Sequence, residues 1–125
     1  MILRAVLGFL TGVAACSTAF MAMAQPASAA HGEAWSAPGP GIVLIKPDGR
    51  YTIDVDDLEA RTFIVSYGIV TSQEPTLAGG RSYSLKSQRP DQTGWSFQVI
   101  SKSDRTADLY LKNAHGRHLV ARLKK

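Results

Sequence analysis

Few residues in the chain are able to do chemistry: three histidines (His31, His115 and His118), one cysteine (Cys16) and ten carboxylates, four of them clustered as Asp54, Asp56, Asp57 and Glu59. A nucleophilic triad needs a histidine oriented by a carboxylate. His115 falls in a predicted turn and His118 opens a predicted strand, and neither place holds a base ready. The chain has no G-x-S-x-G elbow, P-loop, G-x-G-x-x-G or H-E-x-x-H. No catalytic residues are assigned, and the expectation is a protein that is not an enzyme. The acidic cluster has neither the spacing nor the glycine of an EF-hand loop. Asp54 and Asp56 would share one face of a strand while Asp57 points away, so the cluster reads as a solvated acidic connection.

One metal chemistry stays open. Were the chain processed after Ala30, the mature protein would start His31-Gly32. An amino-terminal histidine binds copper through its amino group and its imidazole, and a second imidazole, from His115 or His118, would complete the site. A β-sandwich beginning His-Gly resembles the copper monooxygenases and copper carriers of the periplasm, and that resemblance implies copper as the alternative to no cofactor at all.

Charge is the broader signal. Residues 30–60 carry six acids against Lys46 and Arg50, a net of −4, whereas residues 61–125 carry eleven bases against four acids, a net of +7. The basic residues gather in the last predicted hairpin, where alternation turns Tyr110, Lys112, His118, Arg122 and Lys124 outward and the turn adds Arg117. These six are the expected binding residues. Their partner would be an anionic envelope polymer or an envelope protein, with lipid headgroups a further anionic surface. No nucleic-acid module is visible, and nucleic acid is not expected.

The elements that must position these groups are strands. The chain has 125 residues, 45% of them hydrophobic, and a net charge of +4, enough for one small globular domain. From residue 42 onward, turn signals recur every eight to twelve residues, the rhythm of an antiparallel β-sandwich or barrel. Ile42-Val43-Leu44-Ile45, the turn Pro47-Asp48-Gly49 and the alternating Tyr51, Ile53 and Val55 predict a hairpin. Residues 62–70 are apolar on both parities and predict a central strand. Strands follow at residues 82–86, 95–99, 107–112 and 118–123, about seven in all, with a turn at residues 113–116. Trp95, Phe97, Phe63, Tyr67, Leu109 and Leu119 are expected to point inward.

Residues 1–24 read as a cleaved signal segment: Arg4, a long apolar run, then Ala22-Met23-Ala24 before Gln25, with Ala27-Ser28-Ala29 as a second site. Val13-Ala14-Ala15-Cys16 has the form of a bacterial lipobox, which would lipidate Cys16 and tether the domain to a membrane. Residues 25–41 are rich in Ala, Pro, Gly and Ser and read as a flexible leader before a domain at residues 42–125. The expected protein is an exported binding or accessory component of the bacterial cell envelope, periplasmic or secreted, or a membrane-tethered lipoprotein. A periplasmic copper-binding protein and a structural component of a surface assembly or secretion apparatus are the alternatives.

Overall fold

A computed structural model describes residues 32–57 and 59–125. The expected signal segment, Cys16 and His31 lie outside the described residues. The chain forms eight antiparallel strands: β1 (Glu33–Ser36), β2 (Ile42–Ile45), β3 (Arg50–Asp57), β4 (Thr62–Pro75), β5 (Arg81–Ser87), β6 (Ser96–Ser101), β7 (Thr106–Asn113) and β8 (Gly116–Lys124). Each strand pairs with the next, and β8 returns to β1 through Ser36 and Lys124, closing one sheet into a barrel. The fold is all-β and antiparallel, with eight strands rather than about seven. The additional one, β1, lies in the stretch expected to be leader. Trp35 explains it: 2% exposed, opposite Val43 and edge-on to Tyr83, it supplies enough burial to hold a four-residue strand between Pro/Gly-rich flanks.

The β2–β3 hairpin forms where expected. Gly49 takes φ 87° and donates to Lys46 O at 3.0 Å. Arg50 Nε, 2.9 Å from Asp48, holds that carboxyl below its usual range. The interior of an eight-strand barrel is just wide enough for side chains to fill. Here it holds Trp35, Tyr51, Phe97, Leu85, Leu109 and Leu123, with Phe97 edge-on to both Tyr51 and Trp95. Phe97 and Leu109 are buried as expected, whereas Trp95 precedes β6 and is only partly buried against the core.

Two parities differ from the sequence expectation. In β4 the inward residues are Ile64, Ser66, Gly68 and Val70, while Phe63, Val65 and Tyr67 face out at 55, 44 and 47% exposure. Tyr51 is the reason. It sits opposite Gly68 and its hydroxyl meets Ser66 Oγ at 3.0 Å, which draws that parity inward, where the backbone of β5 leaves room only for glycine at position 68. In β8 the pairing shifts from Leu109↔Ala121 to Tyr110↔Leu119, which leaves Val120 as a bulge. Val120 and Ala121 are both buried, Leu119 moves to the outer face, and His118 comes beside inward Leu111.

A buried polar chain continues from Tyr51 and Ser66 to Ser87 Oγ (3.3 Å), Gln92 Oε1 (2.6 Å from Ser87) and, through Gln92 Nε2, Val65 O (3.0 Å). Its end is the short 3-10 helix Pro90–Gln92, which covers β4 where that strand outruns β5. Gln88 N and the Arg89 side chain also donate to the carbonyls of Tyr67 and Val65, protecting this edge.

Gly68 has no space for a side chain, because a Cβ would lie 2.0 Å from Lys86 O. Gly68→Ala is therefore expected to destabilise the barrel by about 2–3 kcal/mol or more in chemical denaturation; a change near zero would show that the β4–β5 pairing has slack.

Burial pushes the phenols of Tyr51 and Tyr83 up from 10.0; hydrogen bonds to Ser66 and Ser87 partly oppose this for Tyr51, and the Glu33 carboxylate adds to it for Tyr83. Both hold their protons more tightly folded than unfolded. Their contribution is full below the ordinary phenol value and is lost as pH rises above it. Tyr83→Phe, which keeps the ring on Trp35, should flatten the alkaline fall in stability measured by urea unfolding above about pH 10.

Candidate functional site

The outer faces of β5 to β8 carry one row of residues directly across four strands: Lys86, Ser96, Lys112 and Arg117. With strands about 4.8 Å apart, Lys112 and Arg117 are immediate neighbours and Lys86 lies about 10 Å from Lys112 at the backbone. The next row is Ser84, Gln98, Tyr110 and Leu119. It fixes the first: the Arg117 guanidinium stacks on the Tyr110 ring, 4.0 Å from its centroid, and Arg117 Nε donates to Gln98 Oε1 at 3.0 Å. Among the described residues no salt bridge involves Lys86, Lys112 or Arg117. Beside these cations runs a groove of about 440 Å³, lined also by Ser84, Ser96, Thr71 and Trp95. The arrangement presents positive charge and hydroxyl groups over a partly apolar floor.

The six residues expected to bind are thus divided. Tyr110, Lys112 and Arg117 come together as the core of this wall. Arg122 lies opposite Asp108, whose carboxylate is 3.4 Å from Lys102 Nζ, and Lys124 lies opposite Thr106 one row beyond. From the Lys112 row these rows stand about 13 and 20 Å along the strand.

His118 leaves the outer face. After the bulge its ring turns to the end of the barrel, where Nε2 donates to Asp57 Oδ2 at 2.7 Å. Asp57 is 2% exposed, and its other oxygen accepts from Glu59 N and Ala60 N, each at 3.1 Å. As expected, Asp54 and Asp56 share the outer face and Asp57 points away. Contrary to the expectation of a solvated cluster, Asp57 is not solvated, because its carboxylate is taken up by the turn N–H groups and His118. In its inward place Asp57 acts as a structural cap on the β3–β4 turn. It shares a cleft of about 460 Å³ with His118, His115, Asn113, Trp95 and Arg117. Trp95 and Arg117 line this cleft and the groove alike.

His115 occupies the tight β7–β8 turn, its backbone N–H held by Asn113 Oδ1 at 2.9 Å. Among the described residues no group of three or more His, Cys, Asp or Glu is placed to hold a metal ion. The copper arrangement turns on His31, which lies outside those residues.

Sequence reasoning did not bring Lys86, Gln98 or Trp95 to this site. Lys86 alternates with Tyr83 and Leu85, which face inward, so its outward direction was readable. Its place beside Lys112 follows only once β5, β6 and β7 are known to be consecutive in the sheet. Comparison of the chain with protein-family models, with curated proteins and with solved structures finds no match in any of the three.

Asp57→Ala would leave His118 Nε2 and two turn N–H groups without their acceptor, and is expected to cost about 2–4 kcal/mol in thermal or chemical unfolding. His118→Ala keeps both backbone bonds to Asp57 but leaves the buried carboxylate without its side-chain donor, so it should cost about 2 kcal/mol, less than Asp57→Ala by what the turn bonds contribute. Equal costs would show that the turn bonds contribute nothing.

Proposed function

We propose that this chain is an exported, non-catalytic binding protein of the bacterial cell envelope, and that the outer wall of β5 to β8 binds a polyanion with repeated carboxylate or phosphate groups. Export is read from residues 1–24. The observation that carries the binding reading is the row of three cations, Lys86, Lys112 and Arg117, in no salt bridge among the described residues and bordered by Ser84, Ser96 and Gln98. Like charges on neighbouring strands repel, so their concentration has a folding cost that an anionic ligand relieves. Arg117 is already oriented by Tyr110 and Gln98 and loses little rotamer freedom when an anion docks. The groove beside the row suits an extended chain lying across the strands, with Trp95 against its less polar parts.

Titration with polyphosphate and with poly-glutamate, followed by calorimetry and by the fluorescence of a Trp35→Phe variant in which Trp95 is the one tryptophan, tests this. Neutralising the row in a Lys86→Gln, Lys112→Gln, Arg117→Gln variant should weaken binding by about tenfold or more at low salt. The Arg122→Gln, Lys124→Gln pair should weaken it far less, and wild-type affinity should fall steadily with salt. Undiminished binding in the triple variant would remove this wall as the site.

A further inference from the structure

Among the described residues, four of the five exposed large hydrophobic side chains stand on one wall: Ile42 on β2 and Phe63, Val65 and Tyr67 on β4, joined by half-buried Leu44 and Ile69. Between them, outward on β3, lie Asp54 and Asp56, with Asp54 opposite both Ile42 and Val65 and Asp56 opposite Phe63. Among the described residues neither carboxylate enters a salt bridge. A wall of this kind, apolar with two unneutralised negative charges, is complementary to a surface that is apolar with unneutralised positive charge. The same barrel carries one: Tyr110 and Leu119 lie side by side, bordered by Lys112 and Arg117 on one side and Arg122 on the other.

We propose that the occupant of the β2–β4 wall is the β6–β8 wall of a second copy of this chain. Association of a wall with itself would set Asp54 and Asp56 against their own copies, or Lys112 and Arg117 against theirs, and like charges across an interface oppose it. The contact is therefore heterologous. Its direction follows from the ring of strands: β3, at the centre of the acidic wall, and β7, at the centre of the basic one, are four strands apart in a closed sheet of eight. The two walls are distinct, so each barrel can both give and receive the contact, and repeated contacts extend the assembly beyond a pair. Three strands by three or four residue rows give a patch of about 15 by 20 Å, well below the roughly 800 Å² per partner of a stable interface. The association is weak, and it depends on concentration and salt. The second copy competes with the polyanion for the basic wall, but the inference does not require that a polyanion binds.

Sedimentation velocity on the mature chain, over a range of concentrations at about 20 mM and about 500 mM salt, tests it. The wild type should at least double its weight-average mass at high concentration and low salt, and return to the monomer mass at high salt. The exposed-site variants Asp54→Lys, Asp56→Lys and Lys112→Glu, Arg117→Glu should each stay monomeric, while an equimolar mixture of the two should associate, because each then offers a wall complementary to the other's. Phe63→Ser should also lose association. Far-UV spectra of the variants establish that they are folded. A wild type that stays monomeric throughout overturns the proposal, as does association that survives in Asp54→Lys, Asp56→Lys. Phe63→Ser keeps every charge of both walls, so polyphosphate binding by it that is no weaker than the wild type's separates failure of self-association from failure of the polyanion reading.

Discussion

A single sheet closed on itself has one interior, and the volume of that interior decides which side of each strand turns in. In this barrel the deciding contact is Tyr51 across Gly68 to Ser66. The phenol needs a buried polar partner, and β4 offers Ser66 on only one parity, with Gly68 beside it where the β5 backbone leaves no room for a Cβ. Once Ser66 and Gly68 are inside, Phe63, Val65 and Tyr67 are outside by the period of two. The polar groups brought in with Tyr51 are then connected through Ser87 to Gln92, so the cavity that admits the tyrosine also ties down the 3-10 helix over the edge of β4.

The second consequence of closure is electrical. In an up-and-down barrel, neighbours in sequence are neighbours in space, so a difference in charge between the halves of the chain becomes a difference between opposite walls. The acids of β3 and the bases of β5 to β8 therefore stand on different walls. Asp54 and Asp56 mark one wall; Lys86, Lys112 and Arg117 mark the other. A Greek-key sandwich of the same strands would have mixed them, and the same composition would then have given an ordinary surface of both signs.

Much of this was legible in the sequence. The β2–β3 hairpin, β6, β7 and the turn around Ala114 and His115 lie where alternation and turn chemistry place them, because each is specified by residues close together in the chain. What was not legible depends on partners distant in sequence. Trp35 looks like a leader residue until Tyr83, on β5, is brought beside it. The parity of β4 cannot be read from a segment apolar on both sides; it follows from the hydrogen bond of Tyr51 to Ser66 and the β5 backbone against Gly68. The bulge at Val120 carries no local mark, since Leu119, Val120 and Ala121 are all apolar, yet it reverses every side chain before it and turns His118 from the outer face to Asp57. Tyr110, Lys112 and Arg117 are legible because they lie on one hairpin, and Lys86 is not because β6 stands between it and that hairpin.

That reversal also explains why the basic wall stops where it does. β2 is short and pairs with β3 only as far as Asp54, so Val55, Asp56 and Asp57 run on without it, and β3 meets β8 directly. Nearby, β1 and β8 share a single bridge, reinforced by Ser36 Oγ on Lys124 O and by the Lys125–Glu33 ion pair. The seam of the barrel is thus thinly paired, and the Asp57–His118 contact is the buried tie across its open end. An outward His118 would have added an imidazole to the row of cations and left Asp57 buried without its side-chain donor, which costs more than a surface imidazole gains. With His118 facing in, Arg117 next to it must face out, against Tyr110 and Gln98. The contact that holds the seam therefore also aims the guanidinium, and the binding wall and the closure of the barrel rest on the same two consecutive residues of β8.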